Sequence, residues 1–85
     1  MAKAPAVEAL IGRNDEGFYA AVPSIRSCLA DGDTMAELMG NLHEVARGLL
    51  ECDARYGRGG GLRFDEDYFR EHGIVLVGRC MIDPR

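Results

Sequence analysis

From Met35 to Leu50 the apolar positions Met35, Leu38, Met39, Leu42, Val45, Ala46, Leu49 and Leu50 recur at spacings of three and four. This predicts an amphipathic helix with a single apolar stripe. Glu37, Asn41, Glu44, Arg47 and Glu51 occupy the opposite face, so the helix suits packing on a sheet rather than the inside of a bundle. Its start is marked by the Gly32-Asp33 turn and by Thr34 with Glu37, the pattern of a capping box in which hydroxyl and carboxylate each satisfy a free amide of the first turn.

Upstream the period changes to two. Val7, Ala9 and Ile11 alternate with Ala6, Glu8 and Leu10, which predicts a half-buried strand over Ala6 to Ile11. Asn14-Asp15-Glu16-Gly17 reads as a hairpin loop with a bulge-type exit, followed by a second strand from Phe18 to Val22. Pro23 has no N–H for a ladder, so it ends that strand or lies at a sheet edge, and Ser24-Ile25-Arg26 reads as an exposed connection to a short third strand, Ser27 to Ala30.

Downstream, Asp53 to Gly61 holds Gly57, Gly59, Gly60 and Gly61 with Arg55 and Arg58 and reads as a flexible, locally basic loop. Asp65 caps a short helix from Glu66 to His72, whose apolar face is Tyr68 and Phe69 and which Gly73 terminates. Ile74-Val75-Leu76-Val77 is an apolar run expected as a buried strand, continuing through a bulge at Gly78 to Cys80-Met81-Ile82. Such a run wants cover on both faces, beside the other strands or in a neighbouring subunit. Ile74, Val75, Leu76 and Val77 are therefore the candidates for an oligomer interface. The fold class is α+β, an antiparallel β-β-β-α-(short α)-β arrangement with one amphipathic helix on one face of a small sheet.

At 85 residues the chain forms one domain, and a domain of this size buries only about 60–65% of its unfolded surface. A homo-oligomer, dimer or tetramer, would supplement so small a core. The three cysteines, Cys28, Cys52 and Cys80, are widely spaced and form no Cys-x-x-Cys pair, which fits reduced thiols rather than a disulfide or zinc framework. A net charge of −4 argues against direct nucleic-acid binding and suits a basic partner. No apolar run reaches membrane-spanning length, and Met1-Ala2-Lys3-Ala4-Pro5 leads into a strand rather than a signal-peptide core, so a cytoplasmic protein without a membrane partner is expected.

Catalytic patterns are weak. His43-Glu44 begins a zincin motif, but Arg47 stands where the second histidine ligand belongs, so neither a metal nor any other cofactor is expected. Neither His43 nor His72 is placed by a local motif beside a serine or cysteine nucleophile. The glycine-rich loop lacks the Gly-Lys-Ser/Thr of a phosphate-binding loop. A metal-dependent nuclease would need several converging carboxylates, yet the first strand offers only Glu8, while Asp15, Glu16, Asp31 and Asp33 lie in turns. No catalytic residue is assigned, and an enzyme is not expected.

Asp15-Glu16-Gly17-Phe18-Tyr19, Ala21-Val22-Pro23, Ile25 and Cys28, Gly32-Asp33-Thr34, Glu37, Asn41, Glu44 and Leu49-Leu50 occur in the order and spacing of a known family. Over residues 6–52 the chain resembles the N-terminal domain of the HicB-type antitoxins. The resemblance implies a partly ribonuclease-H-like β-β-β-α-β fold and a function by occlusion: binding a small basic HicA-type messenger-RNA-cleaving toxin and blocking its catalytic histidine. Binding of that kind needs acidic groups that steer a basic partner and apolar anchors that hold it. Asp15, Glu16, Tyr19, Pro23 and Ile25, on the hairpin tip and the exposed connection, are the candidates.

The chain departs from the family pattern in three places. Ser27 stands where glycine is common before the cysteine. The span from Gly17 to Pro23 is one residue short, which implies a bulged or re-registered second strand. Many family members carry a DNA-binding module after this domain, whereas the region after Cys52 does not read as one, so no operator binding is expected. The alternative functions are an orphan homo-oligomeric module without a toxin and, behind it, the nuclease using Glu8.

Overall fold

The elements follow in the order β1 (Val7–Asn14), β2 (Gly17–Ala21), β3 (Leu29–Gly32), α1 (Met35–Tyr56), α2 (Glu66–Glu71) and β4 (Val75–Ile82), in a computed structural model that describes residues 6–56 and 62–83. The strands form one antiparallel sheet in the order β3-β2-β1-β4, giving the expected α+β class. β4 returns to pair with β1 of its own chain.

β1 and β2 pair without interruption from Leu10 opposite Ala21 to Asn14 opposite Gly17. The hairpin loop is therefore only Asp15 and Glu16, and it is tightened by the Glu16 amide donating to Asn14 Oδ1 at 2.8 Å. β2 also pairs continuously with β3, so the expected bulge or shift in the second strand is absent. The irregularity lies in β4 instead. Gly12 pairs with Leu76 and Ile11 with Gly78, leaving Val77 as the extra residue of a bulge.

The connection from β2 to β3 is compact. The Val22 amide donates to Cys28 O, the Ile25 amide to Val22 O and the Cys28 amide to Ile25 O, closing a small loop that turns the Ile25 side chain into the core. Ser24 and Arg26 are exposed as expected, but Ile25 is only 7% exposed, which corrects its reading as part of an exposed connection. Ser27 closes the loop with φ of 66°, the left-handed conformation that glycine adopts without steric penalty. Its amide donates to Leu62 O at 2.6 Å.

α1 begins as its capping residues require. The Glu37 amide donates to Thr34 Oγ1 at 3.1 Å, and Glu37 Oε1 accepts from the Asp33 amide at 3.0 Å, one residue before the cap. Asn41 Nδ2 donates to Asp31 O at 2.8 Å and ties the helix to β3. Leu38, Leu42 and Ala46 are the buried centre of the apolar stripe, Met39, Val45 and Leu49 its half-buried flanks, and Met35 and Leu50 its exposed ends. The helix runs past Leu50 to Tyr56, because nothing between Leu49 and Tyr56 breaks a helix and Gly57 is the first residue that does. The loop expected over 53–61 is thus helical to Tyr56, and 57–61 lie outside the described residues.

The sheet is covered on both faces. On one, α1 seals Ala9, Ile11, Ala20, Val22, Cys28, Ala30 and Ile82. On the other, Phe69 of α2 packs with Leu10, Ala21 and Ile74, supported by Phe64 and Tyr68 in edge contact at 4.7 Å. α2 is bounded as expected: Asp65 Oδ1 accepts from the Asp67 and Tyr68 amides, and Gly73 takes φ of 69° just past the helix. Gly12 lies beneath this helix, where an added Cβ would stand 2.5 Å from Ile74 Cγ2 and 2.8 Å from Phe69 Cε2.

Three outcomes are expected by chemical denaturation of purified protein. Gly12→Ala destabilises by about 1–3 kcal/mol through overpacking against Phe69. Gly40→Ala, on a helix face where the added methyl meets nothing within 4 Å, stabilises by about 0.8–1 kcal/mol. Ser27→Gly stabilises by about 1 kcal/mol, because it removes the left-handed strain of a side-chain-bearing residue.

Burial pushes the Cys28 thiol up to about 11 from 9.0, against a smaller opposing effect of a hydrogen bond from the Val22 backbone. The unfolded chain therefore releases this proton first as pH rises. Stability is expected to fall between pH 9 and 11, and Cys28→Ala to remove that part of the slope.

Candidate functional site

The tight hairpin and the antiparallel return of β4 place Phe18, Arg13 and Val75 side by side across three adjacent strands, on the face that also carries α1. α1 does not extend over this corner. It starts at Met35 and packs chiefly on β3 and β2, so the far corner of the face is an open cleft of about 740 Å³. Val75 and Val77 form its apolar side, Asp15 and Glu16 of the hairpin tip one rim, and Asp33, just before α1, the other.

Val75 is 64% and Val77 51% exposed, an unusual degree for valines in a strand. The carboxylates of Asp15, Glu16 and Asp33 are exposed and take no side-chain partner among the described residues, and among those residues Arg13 is the one cation that lines the cleft. The local field is therefore negative around an apolar patch.

A second open cleft, of about 300 Å³, lies on the opposite face between β4 and the start of α2. Arg79 bridges two carboxylates there, Nη1 donating to Glu8 at 3.4 Å and Nη2 to Glu66. Glu8, the acid a nuclease would use, is thus held by a guanidinium in a half-exposed ion pair. Among the described residues no three His, Cys, Asp or Glu side chains converge to hold a metal ion. His43 Nδ1 bonds to Met39 O, while His72 bonds through Nδ1 to Tyr68 O and stacks on the Tyr68 ring, so both histidines are engaged locally.

The residues proposed from sequence for partner binding separate into four places. Asp15 and Glu16 stand at the hairpin tip in the acidic cleft. Tyr19 packs half-buried on the α2 face, Pro23 lines the Glu8–Arg79 cleft beyond the other end of β2, and Ile25 is in the core. The run Ile74 to Val77 separates too. Ile74 is buried under α2, whereas Val75, Leu76 and Val77 are exposed, because β4 is the sheet edge, α1 does not reach Val75 and Val77, and α2 only flanks Leu76 across an open cleft. This corrects the expectation of a strand buried on both faces.

Arg13, Phe18 and Asp33 were missed as members of the cleft. The continuous alternation that puts Arg13 on the same face as Ile11 was the available signal. That Val75 would join them depends on strand pairing, which no local pattern announces.

The chain is similar in structure to a chain of the HicA3 and HicB3 toxin-antitoxin complex, with a TM-score of 0.60, 23% sequence identity, and coverage of 88% of this chain and 94% of that one. The likeness to the HicB-type antitoxins is borne out in the fold. At this identity it shows shared architecture. In sequence, 43 residues are 42% identical to a UPF0150 protein of Synechocystis sp. (strain ATCC 27184 / PCC 6803 / Kazusa), a span of 49% of this chain and 62% of that protein. No family model matches the chain. Among the described residues no helix is long and apolar enough to cross a membrane.

Proposed function

We propose that this chain is a HicB-like antitoxin, or a domain derived from one, that binds a small basic HicA-type toxin and inhibits it by occlusion, without catalysis of its own, in the bacterial cytoplasm. The observation that carries this reading is the structural likeness, over most of both chains, to a component of a toxin-antitoxin complex. The acidic cleft supports it, since unpaired carboxylates around exposed valines suit a basic partner with an apolar contact. Asp15 and Glu16 are retained as contact residues, whereas the buried Ile25 has no free surface to offer.

One observation favours a second reading, the orphan homo-oligomer. Val75, Leu76, Val77 and Met81 expose apolar surface along the outer strand of the sheet, which a second copy would cover.

Co-expression with a HicA-type toxin from the same genome tests the proposal. The intact chain is expected to relieve toxin-induced growth arrest and to co-purify with the toxin. The double charge reversal Asp15→Lys, Glu16→Lys is expected to weaken that complex by about tenfold, mainly through slower association. Growth arrest without relief, and no complex, would overturn the antitoxin reading. A complex indifferent to the charge reversal would remove the hairpin tip from the interface.

A further inference from the structure

The outer edge of β4 has no neighbouring strand among the described residues, so alternate backbone N–H and C=O groups along it are open to pairing. Natural edges are usually blunted by charge, proline or a bulge. This one has a bulge at Val77, but from Val75 to Val77 its side chains are all apolar and exposed, and the first charge comes only at Arg79. Val75 and Val77 also form the apolar side of the acidic cleft, so the open edge and the unpaired carboxylates of Asp15, Glu16 and Asp33 are continuous.

We infer that this edge and cleft take one occupant: an extended basic segment of a partner protein that pairs along Val75–Val77 as a fifth strand, rests an apolar side chain on the two valines, and carries a lysine or arginine past the end of the strand toward the acidic hairpin tip at Asp15 and Glu16. Backbone pairing supplies affinity in such strand addition and the flanking side chains supply selectivity. Charge selects the occupant. Among the described residues the cleft holds three carboxylates, Asp15, Glu16 and Asp33, and one cation, Arg13, and a second copy of a chain with net charge −4 would bring the same acids with it. The inference deepens the toxin-binding reading and rests on it for the identity of the basic partner.

The full chain is examined by hydrogen–deuterium exchange and binding measurements with two probes: an inactivated HicA-type toxin and the synthetic peptide Lys-Val-Arg-Val-Lys-Val, with Glu-Val-Glu-Val-Glu-Val as control. Protection of the β4 amides by toxin and basic peptide, none by the acidic peptide, and affinity that falls with added salt are expected. Val75→Lys with Val77→Lys should reduce both affinities at least about tenfold, with the melting temperature of the free chain preserved because both positions are exposed.

Toxin binding that ignores these substitutions and leaves β4 unprotected overturns the docking inference and leaves the antitoxin reading standing. Peptide binding at β4 without toxin binding does the reverse. If neither probe binds, both fall. A native oligomer that the lysine substitutions convert to monomer assigns the edge to a second copy and overturns the inference.

Discussion

The fold depends on β1 being buried from both sides. It lies between β2 and β4 in the sheet, with α1 against Ala9 and Ile11 and Phe69 of α2 against Leu10 and Gly12. A helix on each face gives the chain two small apolar layers instead of one, which matters at a size where a single layer buries little of the unfolded surface. The close seat of Phe69 is possible because position 12 has no side chain. Pairing with both neighbours satisfies the β1 backbone, and the bulge at Val77 absorbs the mismatch between β1 and the returning strand.

The candidate site follows from what this arrangement leaves uncovered. α1 is anchored at its start by the Thr34–Glu37 cap and by Asn41 on Asp31, which holds it over β3 and β2. α2, six residues long, covers the patch around Leu10, Gly12, Ala21 and Ile74 with Tyr19 and Leu29 at its margin. The corner where the hairpin meets β4 is reached by neither, and there the chain carries valines flanked by carboxylates. An acidic, partly apolar edge beside a tight hairpin offers the basic partner of the proposed function both charge and apolar contact.

Much of this was legible in the sequence where the determinants are local. The capping box at Thr34, the cap at Asp65, the stop at Gly73 and the stripe centred on Leu38, Leu42 and Ala46 lie where hydroxyl, carboxylate, glycine and apolar spacing put them. Ser27 sits in a left-handed conformation, which gives a physical basis for the glycine that the resembled family pattern has at this position. What escaped was non-local. Ile25 turns inward because a small loop of backbone hydrogen bonds closes between Val22 and Cys28, and Val75 and Val77 stay exposed because β4 pairs as an edge. The helix end at Tyr56 was misplaced because the residues after Leu50 permit a helix as readily as a loop. The cleft itself unites Arg13, Asp15 and Val75, residues far apart in the chain that only strand pairing brings together.

The claim that this is a partner-binding domain is tested most directly by native mass spectrometry of the full chain purified from its own host. A complex in fixed ratio with a small basic protein that sequencing identifies as HicA-type is expected. Recovery of the chain solely as copies of itself, under conditions where such a toxin is shown to be expressed, would contradict the claim.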